Sequence, residues 1–78
     1  MIDWRQHLER NPEISTGQWC AAGTRVPVTV ILANLADGVS HAELCRQYPS
    51  LRREHLDAAL AYAAALAEEE AILPLSGL

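Results

Sequence analysis

Seventy-eight residues confine this chain to one domain, near the size at which a single hydrophobic core is only marginal. Six arginines, no lysine and ten Asp or Glu leave a net charge of −4, which argues against strong non-specific nucleic-acid binding, since that rests on neutralising phosphates. No apolar run approaches the roughly 18 residues that a membrane span needs.

Half of the residues are hydrophobic, but alanine supplies much of that and phenylalanine is absent. Small side chains bury little area, at about 25 cal/mol per Å². A core this thin is expected to need a second chain, so a homodimer is expected. Cys20 and Cys45 are far apart and follow no recognisable secretory signal. Both are expected to be free thiols in a reducing cytoplasm. With His7, His41 and His55 they show no close ligand spacing of the Cys-x-x-Cys kind, so no metal and no cofactor is expected.

Residues 1–12 support two readings. Asp3 suits the cap of a short helix carrying Trp4 and Leu8, while Ile2, Trp4 and Leu8 equally suit an extended segment. Asn11-Pro12 ends either one, because the residue before proline avoids helical geometry. Residues 13–25, with Gly17 and Gly23, read as irregular or hairpin-like chain anchored by Trp19.

Pro27 suits the start of a helix, where its missing N–H costs nothing. Val28, Ile31, Leu32 and Leu35 follow at i, i+3, i+4, i+7, a single apolar face. Asp37-Gly38 ends it, the glycine supplying a left-handed residue. Ser40-His41-Ala42-Glu43 is a capping box, with Val39 and Leu44 as its hydrophobic staple. Tyr48-Pro49 ends this second, short helix. The third begins near residues 51–53. Residues 58–67 are alanine or leucine at every position but Tyr62, a strong helix-forming run. Leu56, Leu60, Ala63 and Ala67 form the expected core stripe, widened by Ala59 and Leu66. The side bearing Ala58, Tyr62 and Ala65 is the expected dimer face. Glu68-Glu69-Glu70 stands at the end where the helix dipole disfavours anions, so the helix should fray there. An apolar tail with Ile72, Leu73 and Leu75 then either folds back or docks on another chain. The organisation expected is one domain: an N-terminal segment (1–27), a three-helix core (28–70) and a tail (71–78).

The order of motifs resembles a family of short bacterial proteins known as domain of unknown function 433. The chain carries Asp3-Trp4-Arg5, Asn11-Pro12-Glu13-Ile14, Gly17-Gln18-Trp19-Cys20 and Gly23-Thr24-Arg25-Val26-Pro27-Val28. It continues with Ile31-Leu32-Ala33-Asn34-Leu35-Ala36-Asp37-Gly38, Tyr48-Pro49-Ser50-Leu51 and Ala58-Ala59-Leu60-Ala61-Tyr62-Ala63-Ala64. The resemblance implies a mainly α, three-helix helix-turn-helix fold, homeodomain-like or winged, with an irregular or short β-hairpin segment before it. It also implies an antitoxin-like role beside a PIN-like ribonuclease. The chain departs from the family pattern at Gln18-Trp19 and Ala21-Ala22, where basic positions are lost. It departs again at Arg52, where a threonine usually caps the third helix.

Enzyme is the least expected class, since no nucleophile–base–orienter set appears. Thr24-Arg25 is the most tempting polar pair. Its arginine has five donors in a rigid fork, suited to holding an irregular loop by backbone carbonyls. Two binding roles remain. As a DNA-binding regulator the chain would use the start of its third helix and the preceding turn: Arg46, Arg52, Arg53 and His55. As an antitoxin it would use Glu68, Glu69 and Glu70 to meet a basic nuclease surface, with Ile72, Leu73 and Leu75 filling apolar pockets. The two roles are compatible, and a regulator without a toxin partner is the alternative.

Overall fold

The computed structural model describes residues 2–10, 12–13 and 17–72, with the side chains of 70–72 left out. It is mainly helical: three helices preceded by a short antiparallel hairpin. Each reading of the N-terminal stretch holds for part of it: Trp4 lies in a turn capped by Asp3, whereas Leu8 lies in a strand and Ile2 in neither. Asp3 accepts the Arg5 N–H at 3.2 Å and caps a 3-10 turn over Trp4–Gln6. The chain then straightens into β1 (Leu8–Arg10), which pairs with β2 (Trp19–Ala21) in the register Leu8↔Ala21, Glu9↔Cys20, Arg10↔Trp19. Alternation along a strand sends Leu8 and Ala21 to the core, where both are buried.

The turn after β2 is held by a threonine rather than by the arginine. Thr24 is buried; its hydroxyl donates to the Ala21 carbonyl at 2.8 Å and accepts from the Val26 N–H at 3.1 Å. Ala21 N–H donates to the Val26 carbonyl at 3.0 Å, and Glu9 accepts the Gly23 N–H at 2.7 Å across the hairpin. Arg25, read from the sequence as the loop's clamp, points to solvent. A short hydroxyl satisfies two neighbouring backbone groups with little ordering, whereas an arginine would have to order a long side chain to do so.

Helix α1 (Val28–Ala36) begins after Pro27 and buries Val28 and Ile31, with Leu32 and Leu35 packed at the core's edge, on the face expected. It closes in a full Schellman motif. Gly38, at φ +86°, donates to the Leu35 carbonyl, and Val39 donates to that of Asn34, both at 3.0 Å. Helix α2 (His41–Gln47) has the expected serine cap, Ser40 Oγ accepting the Glu43 N–H at 3.1 Å. The reciprocal arm of the box goes elsewhere, because the Glu43 carboxylate is held by Arg46 and Gln47. Val39 and Leu44 pack in one core cluster, as the staple requires.

Helix α3 runs from Arg53 to Ile72, so it does not fray at the glutamates. Its core face matches the expected stripe only at Leu56 and Ala59. His55, Leu56, Ala58, Ala59 and Ala61 are buried, whereas Leu60 and Leu66 are each 42 % exposed and Ala67 faces solvent. A run that is apolar all round carries no phase of its own. The elements packed against it, chiefly the 3-10 turn and α1, select the face.

Candidate functional site

The start of α3 is built around His55. Burial of the ring requires its polar atoms to be satisfied, and they are. Nδ1 accepts the Arg52 N–H at 3.0 Å, and Nε2 lies 3.0 Å from the Ala22 carbonyl. One neutral tautomer serves both bonds, with the proton on Nε2. Position 55 is the third residue of the helix and Arg52 its cap, so the imidazole fills the returning half of a capping box. This answers the loss of the usual threonine at 52, and it ties α3 to the turn after β2. His55 is therefore corrected from a DNA-contacting side chain to a buried structural one.

The arginines proposed with it stand on the surface. Arg52 and Arg53 are exposed at the head of α3. Arg53 lies 3.7 Å from Asp57, which His41 also approaches at 3.7 Å. Arg46 is engaged by Glu43. Two of the three cations thus have an acidic neighbour, which weakens their pull on a phosphate.

The expected dimer face is corrected in part. Ala58 is fully buried within its own chain. Tyr62 is packed edge-on against Trp4, ring centroids 4.9 Å apart, and Ala65 is half-buried. Of the acidic, partner-binding set, Glu68 and Glu69 are exposed on the last turns of α3. The backbone places Glu70 and Ile72 in that same helix. Leu73 and Leu75 lie outside the described residues.

One surface feature escaped the sequence reading. Trp4, Trp19 and Tyr62 form a three-ring cluster, with Trp4 and Trp19 edge-to-face at 5.3 Å. Arg5 lies over the Trp4 ring at 4.4 Å and Arg10 over the Trp19 ring at 5.3 Å. Beside the cluster a groove of about 360 Å³ runs between β2, α1 and α3, walled by Trp19, Val28, Leu32, Tyr62 and Leu66, with Arg10 at its rim. A second hollow of about 440 Å³, on another side of α3, is lined by Ile2, Asp57, Leu60, Ala61 and Ala64. The neighbouring pair Trp4-Arg5 was the available signal, but only the hairpin register brings Arg10 and Trp19 opposite each other.

Both cysteines are free thiols, Cys20 buried and Cys45 half-buried. Burial, and then the nearby Glu9 carboxylate, push the Cys20 thiol above its ordinary pKa. Among the described residues, His, Cys, Asp and Glu form no group of three that would hold a metal. Nor is any described helix long and apolar enough to cross a membrane.

Hairpin and three helices define a small, mainly helical protein whose surface offers grooves beside α3. The family described as Protein of unknown function (DUF433) matches residues 8–63, and the chain belongs to it. The chain is similar to a DUF433 member protein from Anabaena variabilis ATCC 29413, at 32 % identity and a TM-score of 0.71. The match takes in 81 % of this chain and 62 % of that one, so the chain spans less than two thirds of the length of that relative. No curated protein matches the sequence.

Proposed function

We propose that the protein is a non-enzymatic, antitoxin-like partner-binding protein. It captures and neutralises a PIN-like ribonuclease with the distal half of α3 and the residues after it. The supporting observation is the length of that helix. Among the described side chains its last buried one is Ala61 and Tyr62 still packs against the core, yet the helix continues to Ile72, with Leu66 and Glu69 exposed. The ten residues after Tyr62, at about 1.5 Å each, extend it roughly 15 Å further. An isolated helical stretch of this length is marginal in water, so a partner that covers it gains an apolar anchor and an acidic rim together. Glu68, Glu69 and Glu70 supply steering towards a basic nuclease surface. Ile72, Leu73 and Leu75 supply the anchors.

Operator DNA is a second partner in this reading, supported by the exposure of Arg52 and Arg53 at the head of α3. With so few cations, binding should be weak, dependent on a homodimer and steeply salt-sensitive.

The deciding experiment is co-expression with a PIN-like ribonuclease encoded beside the protein's gene, followed by isolation of the complex and an RNA-cleavage assay. The full chain should co-purify and suppress cleavage. A chain lacking residues 72–78 should keep its melting temperature and lose most of the suppression. Full suppression by the truncated chain would move docking off this segment, and no complex with the full chain would remove the toxin-binding role.

A further inference from the structure

We infer that the groove beside the aromatic cluster is a self-recognition surface: it receives the Leu66–Glu69 face of α3 from a second copy of the chain, reciprocally. Three observations converge on a second copy. First, the groove is apolar on its walls and cationic at its rim. Arg10 lines the groove with its guanidinium 5.3 Å from the centre of the Trp19 ring, and among the described residues it forms no ion pair. A guanidinium stacked in this way keeps its in-plane donors available for a carboxylate. The groove's chemistry therefore asks for an aliphatic side chain followed closely by an acid.

Second, the chain carries that pairing itself. Tyr62, Leu66 and Glu69 fall at i, i+4, i+7 and share one face of α3. Tyr62 and Leu66 are groove walls, so the acid is on the same stripe as the groove, about 4.5 Å further along the helix axis than Leu66.

Third, the arrangement is self-complementary. If two α3 helices cross antiparallel with Leu66 at the two-fold axis, Glu69 of one copy stands opposite position 63 of the other. That is one residue from Tyr62, which lines the groove together with Arg10. The same contact then recurs by symmetry, as an isologous interface requires. Leu66 of each copy is removed from water, and each Arg10 gains a carboxylate. This places the dimer on the Tyr62–Leu66–Glu69 stripe rather than on the Ala58 side, which the core already occupies. Glu69 belongs to this surface and to the proposed toxin-docking segment, so self-pairing and toxin capture compete.

Sedimentation of the full chain alone, without any toxin, tests the pairing. At micromolar concentration and low salt the wild type should sediment as a dimer, loosening as salt rises. Leu66→Asp should be monomeric and, at concentrations dilute enough to dissociate the wild type, should melt at the same temperature as it, because position 66 is outside the core. Arg10→Glu and Glu69→Arg should each raise the dimer Kd by about tenfold, roughly 1.4 kcal/mol. The doubly swapped chain, Arg10→Glu with Glu69→Arg, should recover most of that loss. A monomeric wild type, a dimer indifferent to Leu66→Asp, or a double swap no tighter than its parents would each overturn the inference. These measurements contain no toxin, so failure of the pairing and failure of toxin capture are read apart, the latter by the cleavage assay.

Discussion

The two halves of α3 have similar composition and opposite circumstances. Residues 53–62 carry His55, Leu56, Ala58, Ala59 and Ala61 into the core and hold the hairpin through the Ala22 carbonyl and the Trp4–Tyr62 contact. From residue 63 onward no described residue is fully buried; Leu66 is 42 % exposed, and Ala67, Glu68 and Glu69 face solvent. Alanine-rich helix is thus a neutral material here. What touches it decides whether a stretch stabilises the fold or presents a surface. Substitutions in the first half should therefore read out in stability, and those in the second half in association.

The sharpest separation comes from the core. Leu56→Ala removes a fully buried side chain and should cost about 2–5 kcal/mol, the range for leucine truncation in packed interiors. Thermal or urea unfolding measures it directly. A loss under about 1 kcal/mol would mean that the proximal half is not the packed one.

His55→Ala should come next. It deletes two part-buried hydrogen bonds and leaves the Arg52 N–H and the Ala22 carbonyl without them, costing about 1–3 kcal/mol. The same variant should leave binding by the distal half intact once the protein is folded, which a titration below its melting range would show. Equal losses in stability and toxin affinity would blur the division between the halves.

Ser40→Ala, a cap deletion on α2, should cost about 1 kcal/mol. Because the Glu43 carboxylate is engaged with Arg46 and Gln47 rather than with Ser40, Ser40→Ala and Glu43→Ala should add within about 0.5 kcal/mol. A double-mutant cycle with larger coupling would restore the reciprocal capping box.

Leu66→Ala sits at the other extreme. Its effect on stability should stay within about 0.5 kcal/mol, the usual range for surface sites. A melting temperature several degrees lower at concentrations where the wild type is itself monomeric would place Leu66 in the core after all.

The cysteines give the smallest effect under native conditions. Cys45 should react with a thiol reagent readily and Cys20 only as the protein unfolds, since Cys20 is buried and its thiolate disfavoured. The sign for stability follows. A thiol whose pKa is raised by folding contributes stability that is full below the unfolded pKa and is lost as pH rises towards the folded one. Alkaline melts of Cys20→Ser against wild type would show a gap that changes only on the basic side.

Much of the local structure was legible residue by residue. Pro27, Gly38, Ser40 and Pro49 act through their own backbone chemistry and their immediate neighbours, so the limits of α1 and α2 follow from the sequence. The α1 face follows too, because Val28, Ile31, Leu32 and Leu35 are large groups set among small or polar ones. The family could be read from motif order, which needs no coordinates.

What the tertiary structure alone decided is where non-local partners meet. The run of alanine and leucine over residues 58–67 offers no contrast between faces, so the core stripe was set by what packs on α3, chiefly the 3-10 turn and α1. His55 looks like a surface cation beside two arginines until the turn after β2 delivers a carbonyl to its ring, 33 residues away in sequence. The aromatic cluster and its groove arise from the strand register that sets Arg10 opposite Trp19 and from Tyr62 arriving on a distant helix. Short-range hydrogen bonding and the contrast between large and small side chains are written locally. Which face of a uniform helix is buried depends on the rest of the chain, because only a packed neighbour makes one side of it different from another.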